Sequence, residues 1–533
     1  MAIGTAIVVA VWSVFLWRVI VTFGPDSLHS NFDSDSAIPV LMANEDRPIT
    51  IFDWYYYGQD RWGAWPMILA RIVHGTTNFR WSDQRLHIAR AVWLFIGILI
   101  LAGLHPRAGP VVVVACLIPI CLNVIRLQLF DLSQVYSWQI TALLLAWFCA
   151  RRALENSFRA SADTFVISKS QVLWCFLLFF FSFLAIWNSP ASAPMIGFLV
   201  VLEASRGHFK AEKVPTEKAS TRKVIIARCL CAAIPVLAAT LVETLIRMNY
   251  HRHGLKHYGS DFRTPIGLDI GYLTTNLRAE VLAFSYFTWW VLMLIPLIAM
   301  VSTAVVLIYF RLKGRNDLLT VTRRLFVDET AILIAGTFGI AAINFTLIVM
   351  VNHVRLASYH TRFMTLTVVF GTISGLLTIY FVLHLALKKT RIEKYLIPTL
   401  AIGGLLFLII EFPLRMPSPK YKRRSEIALN LAQKAPDSML MGGYWETYVF
   451  TALQPANTMT ALPLEGRYVR MPWTPAMLRD ANQIVIEYRE SRFANADALP
   501  RQLEQYGTSL RLVDPKFYEY GEYSFALYLQ ETK

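Results

Sequence analysis

The chain has few charged residues for its length and lacks several motifs that mark soluble enzymes. Only 16% of its 533 residues are Asp, Glu, Lys or Arg, whereas 55% are hydrophobic. The sequence contains no P-loop, no dinucleotide fingerprint after a strand, no HExxH motif and no CxxC pair. A soluble nucleotide cofactor is therefore not indicated, and the hydrophobic share favours a membrane protein.

Long apolar segments recur along the first four-fifths of the sequence. A helix needs about 20 residues to cross a hydrocarbon core about 30 Å thick. We predict eleven membrane-spanning helices in a domain that covers 1–413, followed by a small α/β domain over 414–533. The predicted spans are 3–22, 86–105, 110–126, 134–150, 170–187, 192–205, 223–246, 280–310, 328–351, 363–387 and 395–413.

Lys and Arg are distributed unequally between the two sets of loops. The loops 106–109, 151–169, 206–222, 311–327 and 388–394 are about three times denser in basic residues than the loops 23–85, 127–133, 188–191, 247–279 and 352–362. Basic loops face the cytoplasm. This predicts a cytoplasmic N-terminus and an extracytoplasmic C-terminal domain. Topology and anionic lipid then account for the net charge of +15, and no nucleic-acid partner is indicated.

Cysteine and histidine are absent from the C-terminal domain, and all six cysteines fall within predicted spans. No disulfide framework is implied. The tail shows alternating strand and helix patterns, with strands predicted at Ser438–Gly442, Thr458–Leu462, Gln483–Tyr488, Ser509–Val513 and Tyr523–Leu529, and helices at Trp445–Leu453, Thr474–Ala481 and Leu499–Tyr506. A lid or acceptor-docking role suits this domain better than catalysis.

Asp33 and Asp35 lie soon after the first predicted span, in the outer loop 23–85, which holds eight acidic residues. Asp35 begins a stretch, Asp35–Ala43, whose apolar spacing predicts a short helix, and a helix start favours a carboxylate. Either the two carboxylates only cap this helix, or Asp35 is a general base for an acceptor hydroxyl, with Asp33 assisting.

Aromatic residues crowd the same loop between Phe52 and Pro66. Such residues near a membrane edge are usually interfacial anchors, but some, with Tyr57 as a candidate, could bind substrate by stacking on sugar rings. Asp60 and Arg61 form either a surface ion pair or a substrate and phosphate contact, since Arg binds phosphate through two hydrogen bonds. The segment 63–75 predicts an interfacial amphipathic helix.

Two further outer loops carry basic residues. The loop 352–362 contains Arg355, Tyr359, His360 and Arg362. These residues either contact lipid headgroups or form a clamp that neutralises a departing phosphate, with Tyr359 as a further substrate contact.

The loop 247–279 contains Lys256 and Arg263, which could border a substrate. Its three histidines, His251, His253 and His257, are weak evidence for a metal site, so no cofactor is assigned and a divalent metal stays open.

In this arrangement the chain resembles the GT-C class of polytopic membrane glycosyltransferases, which includes aminoarabinose transferases, protein O-mannosyltransferases and oligosaccharyltransferases. Asp35-Ser36-Ala37 stands where those families often have Asp-Glu-Ala, with Ser36 replacing the Glu. Asp60-Arg61 ahead of Pro66 stands near a family acidic-Lys-Pro-Pro stretch, without the double proline. The segment from Tyr359 to Phe363 is similar to a family Arg-Tyr that precedes a late span.

This resemblance implies transfer of a sugar from a polyprenyl-phosphate donor to an acceptor hydroxyl on a glycan, lipid or protein. The reaction would be a single displacement with inversion at the outer face of a membrane, with the bacterial inner membrane as the expected location. Asp35 inherits the catalytic position by resemblance.

Three other function classes stay open. A transporter would place ionisable groups at the membrane midplane, whereas the predicted spans contain few ionisable residues and the candidate site charges lie in outer loops. A receptor or assembly protein would leave the acidic first loop without a role. A cell-envelope polymer ligase would concentrate function in a large late loop.

Overall fold

A computed structural model gives the structure of the chain. It describes residues 13–14, 34–57, 62–74, 79–105, 109–121, 125, 129–130, 134–157, 168–211, 220–253, 274, 294, 297–299, 327–350, 364–387, 399, 403, 419–455, 458–466, 469–488, 493 and 495–531.

The first outer loop contains two helices separated by a tight turn. Helix α1 covers Ser34–Asn44, a 3-10 turn covers Ile51–Asp53, and helix α2 covers Trp65–His74. The predicted helices at Asp35–Ala43 and 63–75 are therefore confirmed. Helix α1 is enclosed by protein because the side chains of residues 36–40 are all buried.

Eight long helices form a bundle in the described part of the membrane domain. They are α3 Phe79–Gly103, α4 Gly109–Cys121, α5 Tyr136–Ser157, α6 Lys169–Asn188, α7 Ser192–Ala211, α8 Ser220–Arg252, α9 Glu329–Met350 and α10 Thr365–Leu387. The bundle shares one apolar core that includes Trp147, Leu199 and Phe370. Helix packing is close where Trp147 lies against Gly336 and Phe198 lies against Gly339, since neither contact leaves room for a Cβ atom.

Eight of the eleven predicted spans overlap these helices. Within the described residues, five of the helices are long and apolar enough to cross a membrane, namely α3, α6, α8, α9 and α10. Helix α4 is apolar but shorter. The predicted spans 3–22, 280–310 and 395–413 lie almost entirely outside the described residues, so the count of eleven stays a prediction.

An ion-pair network joins three helices at one end of the bundle. Arg206 of α7 contacts Glu203 at 2.9 Å and Glu155 of α5 at 3.3 Å, and Arg151 of α5 contacts Glu329 of α9 at 3.0 Å. These residues border the loops 151–169, 206–222 and 311–327. The network thus places the end of α5, the end of α7 and the start of α9 at the same end of the bundle.

The first outer loop contacts the opposite end of the bundle. The Trp187 indole at the end of α6 donates to the carbonyl oxygen of Trp54 at 2.9 Å, and the Tyr55 hydroxyl donates to Glu243 of α8 at 3.1 Å. Gly63 packs directly on Trp187, where an added Cβ would lie within 3 Å of the indole. The residues around Trp54 and Gly63, the end of α6 and the last turns of α8 therefore lie at the same end of the bundle.

The C-terminal region is an α/β unit built on a six-stranded sheet. Its elements are α11 Pro419–Lys434, β1 Ser438–Gly442, α12 Tyr444–Ala452, β2 Met459–Pro463, α13 Thr474–Met477, β3 Gln483–Glu487, β4 Gln502–Gln505, β5 Thr508–Tyr520 and β6 Tyr523–Gln530. The strand order is β2-β1-β3-β6-β5-β4. Strands β2, β1 and β3 are parallel, and the other pairs are antiparallel. The predicted α/β class is confirmed.

One predicted helix in this unit is wrong. The segment Leu499–Tyr506 contains strand β4, which pairs with β5 across a two-residue turn. Tyr506 and Gly507 in that turn have φ of 49° and 74°, the left-handed conformation that two-residue hairpin turns require. The prediction missed the hairpin because Tyr-Gly is a less typical turn pair than Asn-Gly.

The first outer loop and the C-terminal unit share a second apolar core. Ile38 and Val40 of α1 pack in the same cluster as Leu431 of α11 and Tyr448 and Val449 of α12. These side chains are at most 1% exposed. The C-terminal unit is thus fixed against the loop that carries Asp35.

Candidate active site

Asp35 lies in the first turn of α1, where unpaired backbone N–H groups favour a negative charge. Ser36 and Ala37, the two residues that follow it, are buried, whereas the Asp35 side chain is partly exposed. The structure therefore presents this carboxylate at the accessible end of an otherwise enclosed helix.

A tyrosine from the C-terminal unit binds the Asp35 carboxylate. The Tyr444 hydroxyl donates to Oδ1 of Asp35 with an O···O distance of 2.5 Å, which is in the range of a charge-assisted hydrogen bond. Burial raises the pKa of Tyr444 well above its usual value, and the charge and hydrogen bond of Asp35 raise it further. The phenol therefore stays protonated and acts as a donor to the carboxylate.

Arg470 supplies a positive charge next to the same pair. Burial alone would lower the pKa of Arg470, but interactions with Tyr444 and Asp35 raise it. The Arg470 guanidinium lies 5.3 Å from the centre of the Tyr444 ring. The hydroxyl of Tyr448 accepts a hydrogen bond from the backbone N–H of Arg470 at 2.6 Å, which fixes the segment that carries this charge.

The backbone of Asp35 is held independently of its side chain. Pro39 has no N–H group and cannot donate to the carbonyl oxygen of Asp35, as a residue four positions later in a helix normally does. The Tyr56 hydroxyl donates to that carbonyl oxygen. The proline thus frees an acceptor, and an aromatic residue of the same outer loop uses it.

Asp53 lies in a separate cluster, where it forms hydrogen bonds and ion pairs with other residues of the protein. Its carboxylate accepts from Arg47 at 2.7 and 3.0 Å, from Arg71 at 3.1 Å and from Tyr57 at 2.9 Å. The backbone N–H of Thr50 donates to it at 2.7 Å. Asp53 is 1% exposed. Because these donors occupy both carboxylate oxygens, Asp53 is poorly suited to accept a proton from a substrate.

Tyr57, a predicted substrate contact, lies in this cluster. Its side chain is fully buried, and burial raises the pKa of its phenol well above the usual value. Substrate binding by Tyr57 stays a prediction, because in the structure its hydroxyl donates a hydrogen bond to Asp53.

The other predicted site residues lie outside the described residues. These are Asp33, Asp60, Arg61, Lys256, Arg263, Arg355, Tyr359, His360 and Arg362. Of the three histidines of the loop 247–279, His251 and His253 are described at the end of α8 and His257 is not. Within the described chain, no three His, Cys, Asp or Glu side chains come together as a metal site.

Sequence reasoning missed Tyr444 and Arg470. Tyr444 follows the carboxyl end of β1, and Arg470 follows the carboxyl end of the parallel strand β2. Binding residues in α/β sheets commonly follow the carboxyl ends of parallel strands. The predicted strand pattern therefore contained a signal for these residues. The absence of histidine and cysteine had instead favoured a lid or acceptor-docking role for this unit.

No protein-family model matches the chain, and no curated protein matches it either. Among solved structures, the chain is similar to the oligosaccharyltransferase AglB from Archaeoglobus fulgidus, in complex with an inhibitory peptide and a dolichol-phosphate, at 12% identity and a TM-score of 0.41. That alignment covers 91% of this chain and 69% of AglB. The chain is also similar to ArnT from Cupriavidus metallidurans at 12% identity and a TM-score of 0.38, over 98% of each chain.

Proposed function

We propose that the chain transfers a sugar from a polyprenyl-phosphate donor to an acceptor hydroxyl, with Asp35 as the general base. The main observation in support of this proposal is the partly exposed Asp35 carboxylate, which accepts a hydrogen bond from Tyr444 where the first outer loop packs on the C-terminal unit. A base must be both oriented and reachable by substrate, and Asp35 meets both conditions.

The proposed reaction is a single displacement. Asp35 accepts the proton of the acceptor hydroxyl, and the resulting oxygen attacks the anomeric carbon. The bond from that carbon to the phosphate oxygen breaks, and polyprenyl phosphate leaves with the electron pair. Inversion at the anomeric carbon follows. Arg61, Arg355 and Arg362, with His360, are the proposed partners of the departing phosphate.

Tyr444 and Arg470 act as positioning residues in this scheme. Tyr444 binds one oxygen of the Asp35 carboxylate, so that the other oxygen can face the acceptor, and Arg470 lies beside this pair. The C-terminal unit is then a part of the catalytic site and not only a lid.

The first test is the substitution Asp35→Asn in the full chain, reconstituted in proteoliposomes. The probes are polyprenyl-phosphate mannose, glucose and aminoarabinose, with release of polyprenyl phosphate as the measured product. Because general-base catalysis contributes about 10²- to 10⁴-fold, we expect a loss of that size with unchanged expression and thermal stability. Asp480→Asn, at an exposed carboxylate of the C-terminal unit, is the matched control.

Turnover by the Asp35→Asn variant at the rate of the unsubstituted chain would remove Asp35 from the mechanism. Net flux of an intact sugar lipid, without cleavage of any donor, would favour a transporter instead.

A further inference from the structure

A cavity lies at the seam between the first outer loop and the C-terminal unit, away from Asp35. It has a volume of about 210 Å³. One wall is the carboxyl end of α1 with the residues that follow, Asn44, Glu45 and Asp46, and the other wall includes Thr451, Gln454 and Trp473. Both outer-side units of the protein therefore contribute to it.

The cavity is joined to the active site by two helices. Helix α1 begins beside Asp35 and ends at the cavity, and α12 begins with Tyr444 and reaches the cavity at Thr451. At 1.5 Å per residue, these paths are about 14 and 10 Å long. Met471 in the cavity wall directly follows Arg470, whose charge interacts with that of Asp35.

The chemistry of the wall does not suit a phosphate. The described lining residues include two carboxylates, amides, hydroxyls, methionines and one tryptophan, but no Lys or Arg. Phosphates are bound by basic side chains. Burial raises the pKa of Glu45, although Arg47 and Arg71 oppose this shift.

Trp473 gives this wall a fixed apolar surface. The Arg47 guanidinium lies 3.6 Å from the centre of one Trp473 ring, and the edge-on Tyr57 ring lies 4.9 Å away. These neighbours hold the indole in one orientation. A fixed aromatic beside a few polar groups is the usual composition of a small-molecule site.

Two wall residues carry buried polar atoms that make no hydrogen bond to any described residue. They are the amide nitrogen and oxygen of Gln454 and the hydroxyl of Thr451, and their side chains belong to residues that are 2% and 7% exposed. Thr447, one helical turn earlier, donates instead to the carbonyl oxygen of Gly443 at 2.7 Å. Buried polar atoms without partners are costly. Both residues line the cavity, so rotation of their side chains toward it would let a ligand supply the missing partners.

We propose that this cavity binds one neutral sugar ring of an oligosaccharide acceptor, while another ring of the same acceptor presents its hydroxyl to Asp35. The inference rests on the proposed function and names its acceptor class. The volume is below the roughly 300–1,000 Å³ of pockets that enclose a whole ligand, which suits a single ring. A separation of about 10–14 Å, from the helical rise, exceeds the length of one ring, so the acceptor needs at least two.

The test measures binding of methyl glycosides to the full chain in nanodiscs. The probes are the methyl glycosides of glucose, galactose, mannose and N-acetylglucosamine at millimolar concentration, followed by saturation-transfer NMR and titration. The variants are Thr451→Val and Gln454→Met, which remove polar atoms at nearly constant volume, and Thr447→Val is the matched control. A lost hydrogen bond corresponds to about a five- to tenfold weaker Kd.

We expect at least one glycoside to bind, with the Kd raised by that factor in the Thr451 and Gln454 variants and unchanged in the Thr447 variant. Without ligand, Thr451→Val should keep or raise the unfolding midpoint, since it removes an unpartnered buried group. Thr447→Val should lower the midpoint, because it removes a formed hydrogen bond.

Three outcomes would overturn the inference: no glycoside binds, all three variants weaken binding equally, or a Gly-Ser-Gly tripeptide binds in place of the glycosides. Donor cleavage by the unsubstituted chain separates this inference from the proposed function. If glycosides bind through Thr451 and Gln454 but the unsubstituted chain cleaves no donor, the cavity site stands and the transferase proposal fails. If transfer proceeds and the acceptor KM is unchanged in both cavity variants, the transferase proposal stands and the cavity site fails.

Discussion

The carboxylate of Asp35 and its backbone carbonyl are held by different partners. Tyr444 binds the carboxylate, and Tyr56 binds the carbonyl that Pro39 leaves without a helical donor. Helix α1 is thereby fixed at its first turn from two directions. A carboxylate at a helix start alone would be satisfied by capping, so the additional partners favour a base over a simple cap.

The substitution Tyr444→Phe tests the hydrogen bond in this arrangement. Loss of a hydrogen bond to a charged group costs about 1.5–3 kcal/mol, and about 1.36 kcal/mol of activation free energy corresponds to a tenfold change in rate. Because Tyr444 orients the Asp35 carboxylate, we expect Tyr444→Phe to lower the kcat of donor cleavage by about ten- to a hundredfold, with little change in the donor KM.

Tyr520→Phe is the control for this prediction. It removes a tyrosine hydrogen bond to Glu426 on the exposed surface of the same unit, and kcat should not change. An unchanged kcat in the Tyr444 variant would mean that the observed hydrogen bond does not position the base.

At the scale of elements, the first outer loop is braced by the Asp53 cluster. The carboxylate of Asp53 joins Arg47, ahead of the 3-10 turn, to Arg71 in α2. The Asp53 and Arg71 side chains are 2% and 8% exposed. This cluster connects the two helices of the loop, and it contacts the C-terminal unit through the stacking of Arg47 on Trp473.

We expect Asp53→Asn to destabilise the folded loop strongly. The substitution removes the carboxylate that pairs with the buried Arg71 guanidinium and leaves Arg47 only the more distant Glu45 at 3.9 Å, and breaking a buried ion pair on one side costs about 3–5 kcal/mol. The readout is the thermal unfolding midpoint in detergent. Asp46→Asn, which removes a carboxylate outside the cluster, should change the midpoint little, and equal midpoints for both variants would contradict a bracing role for Asp53.

Local pattern predicted the helices α1 and α2 and most strands of the C-terminal sheet, because apolar spacing decides such elements. It did not predict the partners of Asp35, because Tyr444 lies 409 positions away along the chain and only tertiary packing brings the two together. Asp53 shows the opposite case. The sequence offers it as one acid among eight, and only the structure shows that its neighbours Arg47 and Tyr57 occupy it.

At the scale of the whole molecule, the two ends of the helix bundle differ in chemistry. One end is joined by the ion pairs of Arg151, Arg206 and their glutamates, and the other carries the aromatic first loop with the C-terminal unit packed on it. Asp35 is at the second end. Because the C-terminal unit and Asp35 share that end, the location of the tail also decides the location of the proposed chemistry.

Cysteine labelling tests which end faces the cytoplasm. Asp497→Cys places a thiol at an exposed position of the C-terminal unit, and Arg152→Cys places one beside the ion-pair network, where the Arg152 side chain is 47% exposed. In spheroplasts treated with a membrane-impermeant maleimide, we expect the thiol at 497 to react at once and the thiol at 152 to react only after permeabilisation. The unsubstituted chain, whose six cysteines lie in predicted spans, gives the background.

The reversed labelling pattern would place Asp35 in the cytosol together with the C-terminal unit. Transfer from a donor at the outer face would then be excluded, since the base and its substrate would lie on opposite sides of the membrane. Reaction at both positions in intact spheroplasts would contradict the bundle itself, because the ion-pair network and the first outer loop lie at opposite ends of the same helices. The labelling pattern thus tests the arrangement of the helices and the side of the chemistry separately.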